Sequence, residues 1–277
     1  MTDDFRSPAL SAVLEPDLRT SEAAPVTLAL PFATRPTRPA GPREVAALGT
    51  IVCVWAHPDD EAFLAGGLLA LAREAGNRVV CVTATRGEAG TDDRDRWPPE
   101  RLARIRSREL AASLRRLGVD EHRWLGLGHR DGACADADPQ EATAALAELL
   151  DEVRPDTVVG FGPEGFTGHP DHCAVGAWTT AARRLAAPTA RLLQPVPTAS
   201  FAERYRDLHE RFSVFWPDHP VVVADEDLAV DLPLEGAALD RKIAALRAQP
   251  SQTDRLVDGV GVETFRAWWG REAFVAA

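Results

Sequence analysis

The sequence has few cysteines, no long apolar run and no excess of basic residues, and each absence narrows the class of protein. Its four cysteines form no C-x-x-C pair, which disfavours a disulfide framework and a thiolate zinc cage and favours buried free thiols. They are Cys53, Cys81, Cys134 and Cys173. No apolar stretch approaches the roughly 18 to 20 residues of a membrane span. Since acidic residues follow the first Met where a secretory signal needs basic ones, we expect a cytoplasmic protein without a membrane partner.

Basic residues are outnumbered by acidic ones. The chain has 31 Lys and Arg against 42 Asp and Glu, a formal net charge of −11, which would repel nucleic acid phosphates, so no nucleic acid partner is expected. Apolar residues make up 45% and charged residues 26% of the 277 positions, as in ordinary globular proteins. This length fits one catalytic domain better than two.

The first 48 residues read differently from the rest. They are rich in Pro, Ala, Thr and Arg and show no sustained periodicity, so residues 1–48 are interpreted as an irregular leader and 49–277 as the domain. A short apolar run at 26–32 could nevertheless pack on the body of the protein.

From residue 50 onward, short apolar runs alternate with longer segments of helical spacing. Nearly continuous apolar runs predict strands buried on both faces, at residues 50–56, 78–84, 123–127 and 156–161. Helical spacing, ended by residues such as Gly76 and Gly118, predicts helices at 61–75, 99–117, 139–153 and 170–185. This alternation indicates an α/β fold, a Rossmann-like layer sandwich with a mostly parallel sheet. Beyond about residue 190 we expect a C-terminal elaboration that covers one sheet edge, with helices at 240–248 and 262–274.

Two polar clusters follow predicted strands. The stretch AHPDDE at residues 56–61 ends the first strand, and GHPDH at residues 168–172 follows the fourth strand through a loop. Ligands of open α/β sheets bind beyond the carboxyl ends of the strands, which is where both clusters are expected. Each joins imidazole and carboxylate groups, the ligand types that zinc and related divalent ions prefer.

A metal site is the favoured interpretation of the two clusters. His57, Asp60 and His172 would supply three ligands and leave one or two positions open, as in catalytic rather than structural zinc sites. A less specific interpretation stays open, since Asp59, Asp60 and Asp171 could simply complement the dipoles of helix N-termini.

The other members of the clusters suit the hydrolysis of an amide, which needs an activated water, a polarised carbonyl and a proton for the departing amine. A bound metal would supply the first two. Asp59 is predicted as the general base, and His169 as the group that stabilises the oxyanion and protonates the amine. Asp171 is predicted to orient His169.

The two motifs, in this order, resemble the LmbE-like family of zinc-dependent sugar N-deacetylases. This family includes the glycosylphosphatidylinositol-precursor deacetylases (PIG-L) and the mycothiol- and bacillithiol-pathway deacetylases. Similarity extends over about residues 50 to 252, through TRGE at 85–88, RSREL at 106–110 and RDG at 130–132. The resemblance implies the same metal ligands and the same roles for Asp59 and His169.

The resemblance also implies substrate contacts. It suggests that Arg106 and Asp131 touch substrate hydroxyls, and that Glu88 binds substrate or braces the site; each could instead be a surface salt-bridge residue. Two positions depart from the family pattern: Gln249 stands where His is expected before Ser-Gln, and Thr167 where mycothiol-pathway members carry Tyr. These departures leave the metal core intact and weaken a mycothiol-pathway assignment.

The implied activity is removal of an N-acyl group, above all N-acetyl, from a small sugar-containing substrate. One alternative is an amidase that acts on a thiol conjugate or secondary metabolite; another is a catalytically silent metal- or ligand-binding module. The sequence leaves open the substrate, the acyl group, whether Zn²⁺, Fe²⁺ or another divalent ion is bound, and whether the chain forms a homo-oligomer.

Overall fold

The structure, a computed structural model, describes residues 40–277. Most of the predicted leader, including the apolar run at 26–32, lies outside these residues. The end of the predicted leader instead contains helix α1 (Pro42–Ala46). Val45 and Leu48 are buried in the core, so this part of the chain packs on the domain.

A seven-stranded sheet forms the centre of the domain. Its strands are β1 (Ile51–Trp55), β2 (Val79–Thr83), β3 (Glu121–Trp124), β4 (Thr157–Gly160), β5 (Arg191–Pro195), β6 (Val230–Pro233) and β7 (Arg271–Ala276). Their spatial order is β3-β2-β1-β4-β5-β7-β6. The first five are parallel to one another, whereas β7 runs antiparallel to both β5 and β6. The predicted Rossmann-like, mostly parallel sheet is therefore confirmed.

Helices connect and cover the strands. They are α2 (Asp60–Glu74), α3 (Pro99–Leu117), α4 (Pro139–Val153), α5 (Pro170–Ala186), α6 (Ala199–Arg204), α7 (Arg206–Phe212), α8 (Gly236–Leu246), α9 (Pro250–Val260) and α10 (Val262–Trp268). Helix α2 packs on α3 and α8, and α4 packs on α5. Among residues 40–277, no helix has the length and apolarity needed to cross a bilayer.

Two predicted elements differ from the structure. The strand expected at 123–127 begins two residues earlier, and its residues are only half-buried because β3 is an edge strand with one neighbour. The helix expected at 262–274 is wrong beyond Trp268, since the chain turns at Gly270 and continues as β7. Its residues Phe274 and Val275 are buried between β5 and β6, where only a strand can complete the hydrogen bonding.

The C-terminal elaboration extends the sheet and also holds α2 in place. Glu272 on β7 accepts hydrogen bonds from the backbone N–H groups of Gly67 and Leu68, at 2.7 and 2.8 Å. The same carboxylate pairs with Lys242 on α8 at 2.8 Å, and both side chains are fully buried. A buried ion pair of this kind fixes the position of α2, which carries part of the first motif.

Candidate active site

Two neighbouring strands bring the motifs together. Strands β1 and β4 pair in parallel, so the residues that follow them emerge at the same edge of the sheet. The first motif links β1 to α2, and the second caps and begins α5. The ring centroids of His57 and His172 are 5.1 Å apart, although 115 positions separate them in sequence.

The surroundings of His57 orient its ring. Its Nε2 lies 3.0 Å from Asp131 Oδ1 and 3.2 Å from Asp171 Oδ2. Because both partners are carboxylate oxygens, Nε2 carries the hydrogen and donates it. The lone pair of the neutral ring is then on Nδ1, which points toward His172 and Asp60. Carboxylates behind an imidazole in this way fix the ring of a metal ligand and raise its basicity.

His172 is held in the complementary tautomer. Its Nδ1 lies 3.0 Å from the carbonyl oxygen of Gly165 and 3.1 Å from Thr167 Oγ1. The carbonyl can only accept, so Nδ1 carries the hydrogen and the lone pair is on Nε2. Phe161 stacks on the ring at 4.2 Å. Gly165 has φ +61, and a Cβ there would lie 2.8 Å from the His172 Cβ, so both its conformation and this close approach require glycine.

Three lone-pair donors converge on one point. His57 Nδ1 and His172 Nε2 are 3.2 Å apart, His172 Nε2 and Asp60 Oδ1 are 3.4 Å apart, and His57 Nδ1 and Asp60 Oδ2 are 3.7 Å apart. Ligands at 2.0 to 2.2 Å from a tetrahedral ion stand about 3.3 to 3.6 Å from one another. Asp60 Oδ2 already accepts from the backbone N–H of His57 at 2.8 Å, so Oδ1 is the oxygen left to bind a metal ion. The three groups thus fit a divalent metal ion.

The charges of this cluster agree with a cation site. Burial alone would lower the pKa of His57, but the hydrogen bonds to Asp131 and Asp171 raise it to about 10. Burial and the neighbouring His57 hold the pKa of His172 well below its usual range. Burial raises the pKa of Asp60. An excess of carboxylate around His57 attracts positive charge, whether a proton or a metal ion that displaces it.

Two other groupings in the described part of the chain bring potential ligand atoms within 4.8 Å of one another. They are His57, His169 and His172, and His57, Asp131 and Asp171. The second is formed at His57 Nε2, the protonated nitrogen. In the first, His169 Nδ1 accepts the N–H of Asp171 at 3.1 Å, so the neutral ring carries its hydrogen on Nε2 and faces the site as a donor. Asp60 stays the predicted third ligand, because its carboxylate offers a lone pair whatever the tautomer of His169.

Asp59 is held in an unusual backbone conformation beside the cluster. Its φ is +99, rare for a residue with a side chain, and its N–H donates to Glu61 Oε2 at 2.9 Å. Its carboxylate Oδ2 lies 3.1 Å from Arg106 Nη2. Burial raises the pKa of Asp59 to about 7 while Arg106 opposes the shift. A carboxylate with a pKa near neutrality is suited to proton transfer.

His169 also lies beside the cluster, at the N-cap of α5. Its ring is 4.9 Å from His57 and 5.0 Å from His172. Burial and the charge of His57 lower the pKa of His169. Asp171, predicted to orient His169, does so only through its backbone N–H, since its carboxylate accepts from Gly132 and Cys134 N–H groups and faces His57.

The three predicted substrate residues lie around the cluster in different settings. The Arg106 guanidinium is buried, and it donates to the carbonyls of Gly87 and Pro58 as well as to Asp59. Asp131 faces His57, and its Oδ2 accepts from the Ala89 N–H at 2.8 Å. Glu88 accepts from the Asp131 N–H through Oε1, while its buried Oε2 has no hydrogen-bond partner among the described residues.

Sequence reasoning gave no role to Glu61, yet it connects three elements. Its fully buried carboxylate accepts from Asp59 N–H, Ser113 Oγ on α3 and Gln249 Nε2 before α9. Burial raises the pKa of Glu61 to about 8. Gln249, noted as a departure from the family, thus helps to hold the residue that fixes Asp59. The sequence gave only one sign of this role, the position of Glu61 at the end of the first motif. Its partners Ser113 and Gln249 come from distant segments of the chain.

Fold and site together define an α/β domain that carries, at the carboxyl edge of its sheet, a cluster of His and Asp side chains that could hold a metal ion. A family model described as GlcNAc-PI de-N-acetylase (PIG-L) matches residues 52–183. A Kineococcus radiotolerans protein named 1D-myo-inositol 2-acetamido-2-deoxy-alpha-D-glucopyranoside deacetylase is 37% identical over 195 residues, covering 59% of this chain and 54% of that protein. The protein of the same name from Mycolicibacterium gilvum is 33% identical over 234 residues, covering 76% and 82%. This chain thus spans about half of the first relative and most of the second.

A solved structure agrees with these relatives. A conserved protein from Thermus thermophilus superposes with a TM-score of 0.55 at 25% identity, covering 82% of this chain and 93% of that one. The chain belongs to the PIG-L (GlcNAc-PI de-N-acetylase) family, as its motifs predicted. Membership confirms the predicted class of enzyme, a deacetylase that hydrolyses an N-acetyl amide.

Proposed function

We propose that this chain is a zinc-dependent deacetylase that removes the acetyl group from an N-acetylated amino sugar within a small glycoside. The observation that carries the proposal is that His172 Nε2 lies 3.2 Å from His57 Nδ1 and 3.4 Å from Asp60 Oδ1, with Asp59 and His169 close by. Nitrogen and carboxylate donors in a three-ligand set favour zinc, although iron(II) accepts the same groups.

A divalent ion held by these three groups would lower the pKa of a water molecule to about 7 and polarise the acetyl carbonyl. Asp59, held beside the site by Glu61 and Arg106, takes the proton of the attacking water at its carboxylate. Arg106 fixes the orientation of that carboxylate. Asp59 is then placed to return this proton to the departing amine as the carbon–nitrogen bond breaks.

His169 acts on the oxyanion. Because its Nδ1 accepts the Asp171 N–H, the hydrogen on Nε2 is directed at the developing oxyanion, where it stabilises negative charge. His169 therefore serves as the oxyanion donor, and Asp171 keeps its tautomer through the backbone. A neutral ring has no second proton to give, so the departing amine takes the proton that Asp59 removed from the water. The role of acid that was predicted for His169 thus passes to Asp59.

The proposed substrate class rests on the names of the relatives and on the side chain of Glu88. Both curated relatives described above are named for an N-acetylglucosamine unit linked to inositol. The partner-free Glu88 Oε2 suits a sugar hydroxyl, which donates to a carboxylate. We take an N-acetylglucosaminide of a polyol as the first substrate to test. The cytoplasmic location and a homo-oligomeric state stay predictions.

The decisive experiment measures amine release from a panel that contains 1D-myo-inositol 2-acetamido-2-deoxy-alpha-D-glucopyranoside, free N-acetylglucosamine and an N-acetylated thiol conjugate. Asp59→Ala should retain metal and lose at least about 10²-fold in kcat, as expected when a general base is removed. Asp60→Ala should lose the metal as well. Failure of the zinc-loaded protein to hydrolyse any member, or ordinary turnover by Asp59→Ala, would refute the proposal; hydrolysis of the thiol conjugate alone would replace the sugar substrate.

A further inference from the structure

Trp216 is a half-exposed indole beside the proposed active site. Its side chain is 46% exposed, which makes it one of three large apolar side chains exposed in the described chain, with Leu185 and Val262. The ring centroids of Trp216 and His169 are 5.2 Å apart and the rings meet edge to face at 73°. Leaving an indole in water forgoes the stabilisation that burial would give, and this indole is exposed next to a histidine of the proposed active site.

The loop that carries Trp216 is tightly attached to the loop that carries His169. The Trp216 N–H donates to the Thr167 carbonyl at 2.9 Å. Phe215, the preceding residue, turns inward and stacks on Phe166 at 6.2 Å. His219 packs so closely that a Cβ on Gly168 would lie 2.4 Å from its Nδ1. The exposure of the indole therefore comes from a fixed backbone and not from a loose segment.

The indole lies beyond His169 as seen from the metal ligands. His169 contacts the rings of His57, His172 and Trp216, whereas within residues 40–277 the Trp216 ring stacks on neither of the two ligand rings. The acetyl group is small and its carbonyl must lie at the metal cluster. What extends past His169 is then the amine side of the substrate, with the sugar ring that carries it.

We infer that Trp216 is a specificity-determining residue that forms a platform for the sugar ring bearing the departing amine. This inference rests on the proposed function. One face of a pyranose ring presents mainly C–H groups, which pack on the flat, apolar face of an indole while the hydroxyls stay in contact with water or polar groups. A rigid aromatic with two side-chain torsions gives this contact at little entropic cost.

The test compares Trp216→Ala, Trp216→Phe and the control Leu185→Ala in the zinc-loaded protein. Leu185 is 71% exposed and lies 15 residues into α5, roughly 22 Å along the helix from its start at the site. Trp216→Ala should raise the KM for the N-acetylglucosaminide about tenfold, equivalent to about 1.4 kcal/mol, with kcat within about twofold. Trp216→Phe should recover most of the loss, and Leu185→Ala should match the parent protein.

Product inhibition separates the two sides of the substrate. Glucosamine should inhibit Trp216→Ala about tenfold more weakly than the parent protein, while the inhibition constant of acetate stays unchanged. An unchanged glucosamine constant, a weakened acetate constant, or a fall in kcat with a normal KM would each overturn the inference. These outcomes require a parent protein that turns over, so inactivity of the parent towards every N-acetylglucosaminide counts against the proposed function and not against Trp216.

Discussion

Replacing Asp171 by Asn tests whether two carboxylates share the task of holding His57 for metal binding. Asp171 has no solvent exposure, and all three of its partners donate to it: Gly132 N at 2.7 Å, Cys134 N at 3.0 Å and His57 Nε2 at 3.2 Å. An asparagine has only one acceptor oxygen, so its amide group must face at least one of these donors. The variant therefore loses a charge-assisted hydrogen bond behind the metal ligand.

The expected magnitude follows from this geometry. Loss of a partner behind a metal-binding histidine typically costs about 10- to 100-fold in metal affinity. Asp131 also accepts from His57 Nε2, at 3.0 Å, and remains in the variant. We therefore expect the lower end, about tenfold weaker zinc binding, for Asp171→Asn. Asp131→Asn should give a similar loss.

The double variant measures how far the two carboxylates compensate for each other in holding His57. Because each carboxylate compensates in part for the other, Asp131→Asn with Asp171→Asn should weaken zinc binding by more than the product of the two single losses. Zinc affinity is measured by competition with a chelator of known affinity, at several pH values because a proton competes for the same nitrogen. Asp156→Asn is the matched control, since that carboxylate accepts the Thr50 N–H at 2.7 Å at the opposite end of β4.

The outcome also decides between two roles for Asp131. If Asp131 binds substrate, as its family position suggests, Asp131→Asn should raise KM and leave zinc affinity unchanged. If Asp131 holds His57, as the 3.0 Å contact indicates, Asp131→Asn should lower the affinity for zinc. Zinc affinities within about twofold of the parent in both single variants and in the double variant would refute the reasoning about His57 Nε2.

Three further predictions concern the protein as a whole. Removing metal with a chelator should abolish deacetylation and lower Tm, and added zinc should restore both; unchanged activity after verified metal removal would contradict the site. Glu272→Gln should leave the Lys242 ammonium unpaired and cost about 3 to 5 kcal/mol, lowering Tm by roughly 6 to 20 °C in a thermal melt, and a shift of less than about 2 °C would be inconsistent with a buried pair. Burial lowers the pKa of His209 to about 4, and its Nε2 accepts from Trp268 Nε1 at 3.1 Å. Since an unfolded histidine titrates near 6.5, the unfolded chain takes up the proton first, and stability should fall by up to about 3 kcal/mol as pH drops from about 6.5 to 4. In denaturant titrations at several pH values, His209→Gln should lose less stability than the parent protein over this pH range. An equal decrease of the free energy of unfolding with pH in both proteins would count against this role of His209.

Much of the first four strand and helix units could be predicted from the sequence. Continuous apolar runs such as 51–55 and 79–83 can be buried on both faces only in the middle of a parallel sheet, and Pro99, Pro139 and Pro170 each begin a helix as expected. The pattern was less accurate for the half-buried edge strand β3 and for β7, whose type it missed. Strand β3 has one neighbour, and β7 reads as the end of a helix because its apolar residues follow α10 with only Gly270 between them.

The three proposed metal ligands could be located from the sequence because each lies within four residues of a strand end or helix start that the pattern locates. Their supporting groups could not. Gly165 contributes a carbonyl, Gln249 reaches Glu61 from 188 positions away, and Asp131 comes from a loop whose path no periodicity describes. These contacts depend on where loops cross in three dimensions, which local sequence does not encode.

Thr167 shows how a departure from the family pattern can keep the metal core while altering what surrounds it. Its hydroxyl lies 3.1 Å from His172 Nδ1, and its carbonyl accepts the N–H of Trp216. A larger side chain at this position would occupy space next to both the metal ligand and the exposed indole. Because Gly165 already satisfies His172 Nδ1, the side chain at 167 is free to vary without releasing the ligand. We therefore expect metal binding to depend on the Gly165 carbonyl and the buried carboxylates around His57, and substitutions of Thr167 or in the loop at 213–220 to change specificity without loss of the ion.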